Sequence, residues 1–338
     1  MIALSITEPG RAGISEINKP DVGPEEVLVR LKYVGFCGSD LSTWLGKNPM
    51  VSYPRIPGHE ISGVIEGTGE LVPGDLKPGD LVTVVPYTHC GTCSSCRKGR
   101  FNACRNNQTL GVQRDGAMQE YIAVPWHKVL KAEGLTELEL ALVEPLTVGF
   151  HAVGRGRAGA GDTVMVLGCG MIGAGAILGA LRRNATVIAV DVDDQKLKMA
   201  GLLGAQHVIN SVKKDLHGEL EKITDGNGPD LVVEAAGNPV TYRTAVEEVG
   251  FAGRVACIGY ASRDVDLPTK LIVQKEMEIL GSRNAGTEDF AAVIEYLKGG
   301  QLPVDDIITR ILKPEEAEDA LRAWAGDPGK VMKLLVEF

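Results

Sequence analysis

The sequence predicts a chain of class α/β plus β, a β-rich domain joined to a doubly wound parallel-sheet domain, and three observations predict it. Residues 1–147 are short runs of alternating apolar and polar residues broken repeatedly by glycine and proline. Beyond them, strand-like and helix-like runs alternate regularly. The first of those strands is joined to the first helix by the glycine-rich turn Gly168-Cys-Gly170-Met-Ile-Gly173. At 338 residues the chain also exceeds the comfortable size of one hydrophobic core.

In chain order, EEVLVRLKYVG, ISGVIEGTG, DLVTVVPY and MQEYIAV read as antiparallel strands, with turns such as Asp75-Leu-Lys-Pro-Gly-Asp80 between them. The second part opens on the strand TVMVL and the small-residue helix AGAILGALRR, and continues with the strand ATVIAVD. A helix QKLKMAGLLG closed by Gly204, the strand HVIN, the helix DLHGELEKIT and the strand DLVVEAAG follow. A helix from about Pro239 to Val249 leads to RVACIGY, and MEILGS closes the series. EDFAAVIEYLKGG and EEAEDALRAWAG read as helices, and KVMKLLVEF as a strand returning to the first domain. The expected boundaries are 1–147 for the β-rich domain, 148–284 for the parallel-sheet domain and 285–338 for the returning segment.

A net charge of −9 argues against nucleic acid and anionic membrane as partners, because both reward a basic face. The N-terminus MIALSITEPGRAG has neither the basic start nor the long apolar core of a signal peptide, so a cytoplasmic setting with reduced thiols is expected. The run Val164 to Leu181 is long and apolar enough to raise the question of a membrane span. Its repeated glycines point instead to a tight turn.

That turn has the spacing of a dinucleotide-binding loop. Gly168 permits the bend, Gly170 the approach of backbone to a pyrophosphate, and Gly173 close helix-to-strand packing, while Met171 and Ile172 begin a helix whose amides face the phosphates. Asp191 ends the second strand at about the distance expected of an acid that holds both adenosine ribose hydroxyls. It would repel a 2′-phosphate, so NAD is expected rather than NADP, with Lys196 as a further ribose or phosphate contact. Ligands of such sheets bind at the carboxyl ends of the strands, which nominates Ala236, Ile258, Gly259, Ser282 and Asn284 for the nicotinamide half.

Metal-ligand residue types form two groups. Cys90, Cys93, Cys96 and Cys104, in CGTCSSCRKGRFNAC, allow one short lobe, about 88–106, to surround a tetrahedral ion with four thiolates, the pattern of a structural zinc site. Cys37 and Ser39 in GFCGSD, His59 and Glu60 in PGHE, and Glu144 in ALVEPL supply a thiolate, an imidazole and carboxylates, which suits a zinc that keeps one position for substrate. Cys257, in an apolar strand, reads as a core residue.

Taken together, GFCGSD, PGHE, the four-cysteine lobe, EPL, the glycine turn and the acid after the second strand resemble, end to end and in order, the zinc-dependent medium-chain dehydrogenases that include alcohol, sorbitol and threonine dehydrogenases. The resemblance implies a GroES-like catalytic domain and a Rossmann domain. It also implies two zinc ions per chain, one catalytic and one structural, and NAD as cofactor. Cys37 and His59 would ligate the catalytic zinc, with Glu60 and Glu144 sharing or exchanging the remaining protein position. Ser39 would relay the substrate proton, and Asp40 would orient the imidazole of His59. Glutamate at position 144 is similar to the polyol and sugar enzymes, and NPMVSYPRIPGHE, GVQRDGAMQEY and GSRNAGTEDF are similar to the sugar-acid branch typified by L-galactonate 5-dehydrogenase. The implied substrate is a small polyhydroxylated molecule, a sugar acid or polyol, with another sugar, inositol or L-threonine as alternatives and Arg114 and Arg283 as candidate contacts. A homotetramer or homodimer is implied as well. A non-catalytic protein that senses dinucleotide, or a zinc-free reductase, would share the second domain without needing Cys37, His59 and Glu144.

Overall fold

The computed structural model describes residues 1–338. The chain divides into two compact units, Met1–Glu144 together with Phe290–Phe338, and Pro145–Asp289.

In the first unit the organising element is the eleven-residue strand Glu26–Phe36, whose β-branched and aromatic residues alternate onto a buried face. It pairs antiparallel with Glu60–Thr68, with Lys333–Glu337 and with Tyr121–Pro125. The sheet runs Ile308–Leu312, Lys333–Glu337, Glu26–Phe36, Glu60–Thr68, Leu81–Val84, Val129–Lys131. Its outermost pair, Ile308–Leu312 with Lys333–Glu337, is parallel. A separate hairpin, Ile2–Glu8 with Arg11–Glu16, packs beside it. Phe36, Leu31, Ile61, Ile65, Met118, Leu334 and Val336 are all at most 3% exposed and form the core under this sheet. The C-terminal strand therefore supplies part of the core that the N-terminal strands begin.

The second unit holds a six-stranded sheet in the order His207–Asn210, Thr186–Asp191, Thr163–Leu167, Leu231–Glu234, Arg254–Cys257, Glu278–Gly281, with every pair parallel. The strands read as continuous apolar runs because helices bury both faces. Helices Asp194–Leu202, Leu216–Ile223 and Pro239–Glu248 are started by Asp193, Asp215 and Asn238, whose side chains accept from amides of the first turn. The chain reverses its winding between Thr163–Leu167 and Leu231–Glu234, so the carboxyl ends of these two strands form the crevice where such sheets bind ligands. The long apolar run resolves into the buried strand Thr163–Leu167 and the buried helix Met171–Leu181. No helix is long and apolar enough to cross a membrane.

The strand Ile308–Leu312, the helix Thr269–Gln274 and the N-terminal hairpin are elements that the sequence patterns did not single out. Replacing Phe36, which is 1% exposed in the first core, with alanine is expected to lower stability by about 3–5 kcal/mol, read as a shifted midpoint in urea denaturation followed by fluorescence.

Candidate metal and dinucleotide sites

Cys37 follows the central strand and caps the short helix Gly38–Trp44, while His59 and Glu60 stand at the head of the neighbouring strand. Pairing of Gly35 with Glu60 brings the two segments together, and ligand atoms of Cys37, His59 and Glu60 lie within 4.8 Å of one another. Gly35 is indispensable to this arrangement: a Cβ there would sit 1.9 Å from Glu60 Oε2. The Glu60 carboxylate occupies the space the missing side chain leaves.

The charges around this group are buried. Glu60 is 1% exposed and accepts from Lys333 Nζ at 2.6 and 2.5 Å, and the same ammonium donates to the Phe36 carbonyl at 3.1 Å. Glu144, 3% exposed, accepts from the Tyr87 hydroxyl, and burial raises its pKa against the pull of His59. Asp40 is wholly buried and accepts from the amides of Cys37 at 2.9 Å and Gly58 at 3.4 Å, with burial again raising its pKa. The expected orienting hydrogen bond from the imidazole to Asp40 is absent: the carboxylate accepts from backbone amides on either side instead, and His59 Nδ1 is buried without a partner. Burial disfavours a charge on His59, but Cys37, Glu144 and Asp40 outweigh it and raise its pKa well above the ordinary imidazole value. Beside the ammonium of Lys333, this concentration of acids and a thiol favours a further positive charge, on the imidazole or on an ion that takes its place. A thiolate, an imidazole with an orphaned nitrogen and a carboxylate in reach of each other suit zinc in donor type and number. The Ser39 hydroxyl beside them is also buried and without a partner.

The four lobe cysteines form a second group. Their sulfurs lie within 4.8 Å of one another, with Cys93 3.5 Å from Cys96 and 3.9 Å from Cys104, and Cys104 3.6 Å from Cys90. A regular tetrahedron with metal–sulfur bonds of about 2.3 Å has edges of about 3.8 Å, so these spacings fit zinc and are far too long for disulfides. Amides of Thr92 and Cys93 lower the pKa of Cys90 to about 7. The Ser95 hydroxyl and the amides of Cys96 and Arg105 lower that of Cys93 to about 5, whereas burial raises Cys96 to about 11.

In the second unit Gly168 has φ +93°, and a Cβ on Gly173 would lie 1.9 Å from the Gly168 carbonyl, so the turn demands both glycines. A Cβ on Gly170 would meet nothing within 4 Å, leaving open space before the first turn of the helix Met171–Leu181. The amides of Met171, Ile172 and Gly173 have no carbonyl partners inside that helix. Asp191 ends its strand with Oδ2 accepting from Cys169 N at 2.7 Å and Oδ1 from the amides of Val192 and Asp193 at 2.7 and 3.0 Å, which fixes the carboxylate beside the glycine turn. Lys196 lies in the first turn of the following helix. Ala236, Ile258, Gly259, Ser282 and Asn284 all follow the carboxyl ends of strands, Ser282 with its hydroxyl buried and unpartnered and Asn284 with φ +51°. Arg283 is in the same segment, and Arg114 belongs to a loop of the first unit.

Four contributors escaped the sequence reading. Tyr87 and Lys333 hold the carboxylates of the first cluster. In the second unit, wholly buried Glu234 accepts from the amides of Ala236 and Gly237 at 3.1 and 2.9 Å, and the Tyr242 hydroxyl donates to the Gly259 carbonyl at 2.5 Å. Lys333 did leave a signal, a lone cation amid the apolar residues of KVMKLLVEF. Tyr87, Glu234 and Tyr242 left none that distinguishes them from ordinary structural residues.

Comparison with known proteins matches residues 23–134 to the alcohol dehydrogenase GroES-like domain and residues 172–299 to the zinc-binding dehydrogenase domain. The chain is 34% identical over 290 residues to L-galactonate-5-dehydrogenase of Escherichia coli, covering 86% of this chain and 85% of that one. It is 34% identical over 331 residues to sorbitol dehydrogenase of Bacillus subtilis, covering 96% and 93%. The crystal structure of an alcohol dehydrogenase from E. coli CFT073 in complex with NADH superposes with a TM-score of 0.91 at 32% identity, covering 100% of this chain and 99% of that one.

Changing Lys333 to Met is expected to leave Glu60 as an uncompensated buried charge and to cost roughly 3–5 kcal/mol of stability. Chemical denaturation of K333M beside the double variant K333M/E60Q checks this, and the double variant should recover most of the loss.

Proposed function

The chain belongs to the zinc-type alcohol dehydrogenase family, and we propose that within it this protein oxidises a secondary hydroxyl of a sugar acid or polyol to a ketone, with NAD as hydride acceptor. The observation that carries the proposal is the convergence of Cys37, His59 and Glu60, while Asp40 is held by the Cys37 and Gly58 amides and Glu144 by the Tyr87 hydroxyl. Zinc held by Cys37, His59 and a carboxylate would supply the Lewis acidity that makes a substrate hydroxyl easier to deprotonate.

The residues of the chain do the rest. Ser39, whose hydroxyl has no competing partner, would take the hydroxyl proton as it gives up its own, toward the cofactor ribose. NAD, when bound, would supply the acceptor for the carbinol hydrogen, which leaves with its electron pair as hydride as the carbon–oxygen double bond forms. Asp40 keeps Cys37 and His59 in place by gripping the Cys37 and Gly58 amides, and Lys333 sets how far Glu60 is drawn from the ligand group. Glu144, tied to Tyr87, stands ready as the alternative carboxylate ligand. Gly168, Gly170 and Gly173 let the backbone cradle the cofactor pyrophosphate, and Asp191 receives the ribose hydroxyls and disfavours a 2′-phosphate. Lys196, Ala236, Ile258, Gly259, Ser282 and Asn284 complete the proposed cofactor contacts, while Arg283 and Arg114 are the proposed substrate contacts. The four lobe cysteines would hold the structural zinc. The proposed assembly is a homodimer or homotetramer, and the open edge of strand Glu278–Gly281, with Ile279 40% exposed, is suited to such a contact.

Both Cys37→Ser and His59→Ala are expected to abolish NADH production from aldonates and polyols while NAD still binds in a fluorescence titration; near-normal oxidation by either variant contradicts the ligand assignment. Asp191→Ser is expected to shift the ratio of kcat/KM for NAD over NADP toward NADP by tenfold or more, corresponding to roughly 1.4 kcal/mol, and an unchanged ratio contradicts the role given to Asp191.

A further inference from the structure

The loop 109–116 of the first unit is pinned throughout. Thr109 N donates to Gln113 Oε1 at 2.8 Å, Gly111 N to the Arg114 carbonyl at 2.8 Å and Gly116 N to the Ile56 carbonyl at 2.7 Å. A Cβ on Gly116 would lie 2.4 Å from the Gly58 carbonyl, so this loop rests directly on the residues that lead into His59. Arg114, held at its crest, has its Nε buried without a hydrogen-bond partner. The adjacent acid, Asp115, does not serve it: its Oδ1 accepts from Arg55 Nη1 at 2.9 Å and from Ile56 N at 3.1 Å.

A second cation lies close by. Val85 N donates to the Lys128 carbonyl at 2.8 Å and Leu110 N to the Pro86 carbonyl at 3.1 Å, so the segments bearing Lys128 and Arg114 flank residues 85 and 86. Burial lowers the pKa of both side chains, and the charge of Arg114 lowers that of Lys128 further. Neither ammonium nor guanidinium forms an ion pair with an acid of this chain. The neighbouring imidazole of His127 is driven toward neutrality by burial and by Lys128, against the pull of Glu25. Arg114 thus presents a buried, unpartnered Nε beside a second half-buried cation, and an acceptor shared between them would relieve their repulsion. An oxyanion is that acceptor, because it takes a planar donor pair from arginine and a point charge from lysine together.

We propose that Arg114 and Lys128 form an oxyanion site that receives the carboxylate or phosphate of the substrate, which makes that substrate an anionic polyol and not a neutral one. The proposal rests on the dehydrogenase reading above and narrows it. Lys128 then joins Arg114 as a specificity-determining residue, on a segment whose backbone is held to Val85.

Calorimetric titration of the full chain at fixed ionic strength with inorganic phosphate, D-gluconate and neutral sorbitol tests it. Phosphate or gluconate is expected to bind at one per chain and sorbitol at least tenfold more weakly; gluconate tighter than phosphate assigns the site to a carboxylate, and the reverse to a phosphate. Arg114→Met and Lys128→Met should each weaken the anion roughly tenfold or more, with circular dichroism unchanged. Arg114→Lys, which keeps the charge and loses the planar donor pair, should fall between, and it serves if a methionine variant does not fold. Equal anion binding by the wild type and the variants overturns the proposal. So does a change of assembly size in sedimentation on Arg114→Met, which would give the two cations to a neighbouring copy of the chain. Anion binding that depends on both residues, without oxidation of any aldonate or phosphorylated polyol, supports the site and sinks the dehydrogenase reading. Oxidation of neutral polyols with kcat/KM untouched by either methionine variant does the opposite.

Discussion

Uncompensated charge cannot be buried cheaply, and the first unit is arranged around that constraint. Glu60, Glu144, Asp40 and Cys37 lie in one small region, the three acids almost wholly withdrawn from water. Protein groups answer most of the charge: Lys333 holds Glu60, Tyr87 holds Glu144, and the amides of Cys37 and Gly58 hold Asp40. The thiol of Cys37 and the orphaned nitrogen of His59 are what this bookkeeping leaves over, and they are the soft and borderline donors that zinc selects. The fold serves this balance over a long sequence separation. The cation comes from the last strand of the chain, so the site is complete only when that strand has joined the sheet begun at Glu26.

The second unit meets a different constraint, the close approach of backbone to a ligand. Its glycine turn is tight because Gly173 packs on Gly168, and its carboxylate at Asp191 is fixed by three amides before any ligand arrives. Glu234 performs the matching task on the other side of the crevice. By gripping the amides of Ala236 and Gly237 it shapes a segment that has no side chain large enough to shape itself. Preorganisation of this kind spares a bound cofactor the cost of ordering the loops that receive it.

The architecture and the ligand types were legible because they are local. The four lobe cysteines, the pair His59 and Glu60, and the turn from Gly168 to Gly173 each sit within a short stretch, and the periodic strands and helices announce the sheet between Thr163 and Gly281. What escaped was set by contacts distant in sequence. The pairing of Lys333 with Glu60 spans 273 residues, and Tyr87 with Glu144 spans 57. Asp40 is expected from the sequence to hold the imidazole, yet its carboxylate accepts from the amides of Cys37 and Gly58. The helix Thr269–Gln274 and the strand Ile308–Leu312 were missed for a related reason: both are short and more than half polar or exposed, so their periodicity is weak and tertiary packing decides them.

The metal content of the first unit tests the catalytic zinc most directly, and X-ray absorption at the zinc edge of the purified protein measures it. The prediction is two zinc ions per chain with two environments, one of four sulfurs at about 2.3 Å and one mixing a single sulfur with nitrogen and oxygen at about 2.0–2.2 Å. A spectrum of the four-sulfur environment alone, unaltered by Cys37→Ser, would contradict it.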